Sequence, residues 1–205
     1  MPPQANRGSP PSVGRYYLVL TGPACAGKST IGRRLARELV LPFLQRDHLM
    51  EMLFETLGWK RSIQWRHWLR PASYGSFYFF LPYLFDQGQP FIIESGFGLE
   101  PHQHAERLCA MQRRYRYRPI QVHCTAAFEV LEQRHWRRVE RNERHPGWLD
   151  KWKDFRAFRK AIEAGMYSPL DLGGTLIYVD TTKMKRSASL DWILREIEGA
   201  VPARS

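Results

Sequence analysis

The sequence predicts an α/β fold in three layers: a five-stranded parallel sheet flanked by helices, with a helical lid. Two observations carry that reading. Short apolar runs at residues 16–20, 43–45, 91–94, 119–124 and 175–179 alternate with helical periodicities, the pattern of a parallel sheet with crossover helices. The first run leads straight into Gly22-Pro23-Ala24-Cys25-Ala26-Gly27-Lys28-Ser29-Thr30, a glycine-lysine-serine phosphate-binding loop set between a strand and a helix. A chain of 205 residues with 43% apolar and 25% charged side chains suits one globular domain, placed at 15–199.

In chain order, residues 1–14 are rich in Pro, Ser and Gly and are expected as a disordered tail. After the loop, Ile31, Leu35 and Leu39 set a four-residue apolar stripe that ends before Pro42. The short strand 43–45 runs into Arg46-Asp47, a place where ligands collect in open α/β sheets. Asp47 reads both as a catalytic carboxylate and as the N-cap of a helix over 48–57, two compatible roles. Residues 58–89 hold ten aromatics from Trp59 to Phe85, interleaved with Lys60, Arg61, Arg66, His67 and Arg70. They fit a helical segment with its own small core, an acceptor pocket, or a surface that stacks single-stranded nucleic acid.

The third strand ends in Glu94, where an acidic residue either meets solvent or stands by a nucleotide-bound metal. An amphipathic helix covers about 101–115, and the fourth strand is 119–124. A helix over about 126–141 carries Arg134, Arg137, Arg138 and Arg141, with Arg144 beyond it, inside a lid placed at 126–150. This cluster is a solvated surface or an arginine clamp over a triphosphate. A further helix is expected over about 152–163, then the fifth strand with Asp180-Thr181-Thr182 at its end. Leu190, Ile193, Leu194 and Ile197 line a last helix.

Several classes are excluded. The guanine-specificity motif fails at Thr182-Lys183-Met184-Lys185, the chain is short for a two-lobed helicase, and no transporter signature is present. The longest apolar stretch, 77–85, contains Pro82 and is far too short to span a membrane. Three scattered cysteines give neither a disulfide framework nor a zinc site, and no signal peptide opens the chain, so a cytoplasmic location is expected. A net charge of +11 favours anionic ligands: nucleotide phosphates first, nucleic acid as the alternative. Oligomeric state is left open.

Phosphoryl transfer from ATP needs a phosphate cradle, a metal ligand, cations and a group that orients the attacking oxygen. Gly22 to Thr30, Ser29 with Glu94, Lys28 with lid arginines, and Asp47 supply these in turn, while Arg46 holds acceptor or phosphate. The same residues, with Val122-His-Cys-Thr125, Leu131-Glu-Gln-Arg134, Arg144-His-Pro-Gly147 and Val179-Asp-Thr-Thr182, resemble the zeta-toxin and chloramphenicol-phosphotransferase-like group of P-loop kinases. These are AAA-type ATP-binding small kinases related to the gluconate and shikimate kinases. The resemblance implies a nucleoside-monophosphate-kinase-type sheet, ATP and Mg2+ as cofactors, and an alcohol as acceptor. It implies Asp47 as base, Lys28, Arg134 and Arg138 on the phosphates, Thr182 near the adenine, and Arg46, Asp47 and Glu94 toward the acceptor. Many relatives have Asp where this chain has Glu94, and residues 59–87 correspond to nothing assignable, so the acceptor is not carried over. The expected acceptor class is a metabolite, antibiotic or nucleotide-sugar. The rival readings are a nucleic-acid or tRNA hydroxyl kinase and a non-catalytic ATP-binding switch.

Overall fold

The computed structural model describes residues 14–60, 62–148, 155–183 and 188–201. Twelve elements follow in the order β1 (Tyr16–Thr21), α1 (Lys28–Glu38), β2 (Phe43–Gln45), α2 (Arg46–Leu57), α3 (Ile63–Asp86), β3 (Phe91–Glu94), α4 (Pro101–Tyr115), β4 (Arg118–Thr125), α5 (Phe128–Glu140), α6 (Phe155–Glu163), β5 (Thr175–Asp180) and α7 (Ala188–Ala200). The five strands form one sheet in the order β2-β3-β1-β4-β5, and every pairing is parallel.

β1 is central and buried along its whole length, so it reads as a continuous apolar run rather than an alternating one. Alternation survives in the direction each side chain takes. Leu18 and Leu20 enter a core with Ile31, Leu35, Ile193 and Ile197 under α1 and α7. Tyr17 and Val19 enter the opposite core with Phe77, Leu81, Phe85 and Leu108 under α3 and α4. A third, smaller cluster joins Met50, Phe54, Leu69 and Trp148, and fastens the end of the lid to α2 and α3.

The aromatic-rich stretch therefore resolves into one helix of 24 residues that keeps going through Pro71 and Pro82. Ser62 caps its start by accepting from the Trp65 amide. One side of α3 supplies core; the other leaves Trp68, Phe79, Phe80 and Tyr83 exposed. The reading of this stretch as a helix packing on the sheet holds for the first side only.

Two boundaries differ from expectation in ways that matter. α2 begins at Arg46, directly at the end of β2, with Gln45 in the N-cap position. Asp47 is thus in the first helical turn and does not cap the helix; its charge there still suits the positive end of the helix dipole. α5 runs 128–140 rather than 126–141. The expected tail, at residues 1–13, and the expected first turn of the helix after the lid, 152–154, lie outside the described residues.

Candidate active site

All five strands point their carboxyl ends at one cavity of about 590 Å³. The loop at the top of β1 forms its floor. Gly22 has φ of +121°, and a Cβ there would lie 2.0 Å from the Cys124 carbonyl oxygen, so only glycine lets β1 turn this closely against β4. Gly27, also at positive φ, stands at the N-cap of α1 and aims that helix's free amides into the loop. Cys25 sits between them in the left-handed region, φ 64°, a conformation that a non-glycine residue holds only under constraint.

Lys28 is nearly buried, and its Nζ donates to the Pro23 carbonyl at 2.8 Å, curling the ammonium over the loop. Ser29 Oγ donates to Glu94 Oε1 at 3.0 Å, and Glu94 Oε2 accepts from Gln45 Nε2. A buried carboxylate is therefore fixed behind the Ser29 hydroxyl by two neutral donors. This all-oxygen pair suits a hard divalent cation that is carried mainly by nucleotide phosphates. Among the described residues no group of three or more His, Cys, Asp or Glu would hold a metal unaided.

Across the cavity, Asp47 keeps half its side chain exposed and lines the same space as Lys28 and Ser29. Its Oδ1 pairs with Arg46 Nη2 at 2.7 Å. The Arg46 guanidinium is itself wedged over the rings of Tyr74, at 5.1 Å, and Trp148, at 5.8 Å. Arg46 thus holds Asp47 from behind rather than reaching the cavity, which it does not line.

Seven arginines line the cavity, against the carboxylates of Asp47, Glu51, Glu94 and Glu143. They do not share one role. Arg134, expected over the phosphates, spends its N–H groups on protein oxygens: Nη1 on Thr181 Oγ1 (2.7 Å) and the Cys25 carbonyl (3.3 Å), Nη2 on the Thr181 carbonyl (2.6 Å). It bolts α5 to the phosphate loop and β5. Arg138 faces the cavity with its side chain exposed. Arg144 is the residue that the sequence did not single out. The residue is half-buried, and desolvation pulls its pKa below the ordinary arginine value; Nε and Nη1 are shielded from solvent and have no hydrogen-bond partner among the described residues. Its electrostatic neighbours are Cys25 on the loop, Arg138, Asp47 and Glu51. Buried polar groups are normally satisfied, so unmet donors between the phosphate loop and Asp47 mark a place for an anion.

Thr182 does not reach the cavity; Thr181 does. Thr182 Oγ1 accepts from the Ala127 amide and donates to Asp180, closing the turn after β5. The turn needs a short hydroxyl at 182, so the side chain pointing to the loop is one residue earlier. The wall beside Asp47 is built by the end of the lid. Trp148 Nε1 donates to Glu51 at 2.8 Å, His145 Nε2 bonds Glu55 at 2.7 Å, and a Cβ on Gly147 would press on the Phe54 ring.

A parallel five-stranded sheet, this loop and a facing arginine-rich lid define a P-loop kinase fold. Residues 18–162 match the AAA domain family, and the chain belongs to that family. A candidate kinase from Chloroflexus aurantiacus j-10-fl is 29% identical and superimposes with a TM-score of 0.73, over 89% of this chain and 98% of that one. Shikimate kinase from Bacteroides thetaiotaomicron (20% identical, TM-score 0.54, 89% and 98% covered) shares the fold. So does the Mycobacterium tuberculosis APS kinase (15%, 0.54, 92% and 99%). Shikimate kinase of Pseudomonas fluorescens is 60% identical over 35 residues, so the chain spans about a fifth of the length of the curated relatives it matches.

Proposed function

We propose that this chain is an ATP- and magnesium-dependent phosphotransferase that moves the γ-phosphoryl group to a hydroxyl of a small molecule. The observation that supports it most is the common cavity: the phosphate loop, the Ser29–Glu94 pair and the braced Asp47 carboxylate all open into one space. Amides of Gly22 to Thr30 and the start of α1 would take the terminal phosphates, with Lys28 on the β- and γ-oxygens. The Ser29 hydroxyl, with Glu94 behind it, would hold Mg2+, whose chemistry is to neutralise phosphate charge. Asp47 accepts the proton of the acceptor hydroxyl as its oxygen bonds to the γ-phosphorus and the bond to the ADP oxygen breaks. Arg46 keeps the Asp47 carboxylate aimed, and Arg138 and Arg144 meet the charge on the group in flight.

Residues 15–199 act as one kinase domain, with 58–89 on the acceptor side and 126–150 as lid. The three cysteines are free thiols, in keeping with a reducing cytoplasm. No described helix is long and apolar enough to cross a membrane. The test is an ATP-consumption screen of the purified chain against hydroxylated metabolites, antibiotics and nucleotide-sugars. Shikimate and APS come first, since fold neighbours are kinases of those names. We expect one acceptor class to raise ADP release and to gain one phosphoryl group by mass. Tight ATP binding with no acceptor in any class would leave the switch-protein reading in its place.

A further inference from the structure

The outer face of α3 has no duty in the site or the core. Among the exposed positions of α3 there is no lysine or arginine: the one charged side chain is Asp86 at the carboxyl end, with His67 near the other end, in a chain of net charge +11. Trp68 is 70% exposed, Phe79 61%, Phe80 45% and Tyr83 58%. Phe79 packs on both Phe80 and Tyr83 with ring centres 5.5 Å apart, so these three rings are one patch, while Trp68 stacks on Trp65 toward the other end of the helix. At ~150–250 Å² per ring, the three touching rings leave roughly 250–400 Å² of aromatic surface uncovered and Trp68 adds roughly 100–175 Å² at the other end, a size of patch that marks functional surface on a monomer.

We propose that this face is the interface of a homodimer, formed by antiparallel packing of two α3 helices about a twofold axis near Gly75. Glycine in the middle of a helix costs about 1 kcal/mol relative to alanine. A Cβ at Gly75 would touch nothing within 4 Å inside the chain, so no internal contact calls for its absence. Small residues at 71, 72 and 75 make a shallow saddle; Phe79 and Tyr83 make a ridge one to two turns further on. An antiparallel twofold sets each ridge into the other copy's saddle, with Tyr83 against the Trp68 end. That end carries an open hollow formed by Lys60, Ser62, Gln64, Trp65 and Trp68. Asp86, at the carboxyl end of α3, then meets the positive amino end of the opposite helix.

Charge selects the occupant. An anionic polymer or membrane would be met by lysines or arginines, and the exposed positions of α3 have none, Lys60 at the rim of the hollow being folded over the Trp65 ring. A second copy of a +11 chain can approach closely only where charge is lacking. Counted on both copies, full burial of the four rings would remove roughly 700–1,200 Å², which reaches the lower edge of a specific interface.

Sedimentation of the full chain at micromolar concentrations should give twice its 24.1 kDa mass, with association tightening as salt screens the like charges. Phe79→Glu should weaken association roughly 30-fold or more while thermal unfolding of the chain is kept. Gly75→Cys should form an intermolecular disulfide under mild oxidation that the wild type, with Cys25, Cys109 and Cys124, does not form. A wild type that stays at single-chain mass at about 100 μM overturns the idea. So does a dimer that weakens with salt, one unchanged by Phe79→Glu, or a Gly75→Cys chain that stays uncrosslinked.

Discussion

Two arginines on the same lid segment carry opposite duties, and the difference lies in what their N–H groups touch. Arg134 makes three hydrogen bonds to Thr181 and Cys25; Arg144 is half-buried, with Nε and Nη1 shielded and without a hydrogen-bond partner among the described residues. Arg134→Ala removes charge-assisted hydrogen bonds that tie α5 to the loop, so it should lower stability by about 1–3 kcal/mol, read by denaturant unfolding. Arg144→Ala removes two shielded N–H groups that lack a hydrogen bond, against the loss of one ring contact to Trp148, so it should leave stability the same or higher. It should cut kcat/KM for transfer on the order of 100-fold. Equal stability losses in both variants would contradict this division. The sequence exposes Gly22 to Thr30 because the loop's chemistry is local and its spacing rigid. It hides the division among the arginines, because a run of like residues carries no signal of depth. It also hides Thr181 against Thr182, which a one-residue turn decides.

Elements were legible where an apolar run meets a clear stop. All five strands lie where the runs lie, since a sheet covered on both faces keeps its central strands mostly apolar. α3 was harder: the sequence left a helical segment, an acceptor pocket and a nucleic-acid surface open there, and its aromatics alone do not tell which side packs on the core under β1 and β3. The helices and strands also set a pH response that the sequence conceals. His104 on α4 contacts the Tyr78 hydroxyl of α3 at 2.7 Å, and His123 on β4 contacts Thr21 Oγ1 of β1 at 2.9 Å. Burial is the main force that lowers both imidazoles to about 4, helped by Arg107 at His104 and Lys28 at His123. Both are therefore neutral in the folded chain, while in the unfolded chain they take up protons near pH 6.5. Stability is held above that value and lost as pH falls from about 6.5 toward 4. Thermal unfolding at pH 7.5, 6 and 5 should show this decline, and His104→Gln with His123→Gln should flatten it. A melting temperature constant down to pH 5 would contradict the assignment.

For the whole molecule, part of the net charge of +11 has a location: seven arginines and Lys28 converge on the cavity, facing four carboxylates, a local excess of +4. Polyanions should therefore compete with nucleotide, and ATP affinity should fall as salt rises from 50 to 300 mM, measured by calorimetry; affinity that ignores salt would argue against a cationic phosphate site. The architecture, the loop and the Asp47 position were readable because each is stated in a contiguous segment. The wall of the acceptor space was not, because Glu51, Trp148 and Arg144 meet only after the lid folds back onto α2. The central claim is that Asp47 readies an alcohol held opposite the phosphate loop. The direct measurement is Asp47→Asn with an acceptor found by the screen, following transfer and ATP binding together. Transfer should fall by roughly 10²–10⁴-fold with ATP affinity kept; full transfer by Asp47→Asn would contradict the claim.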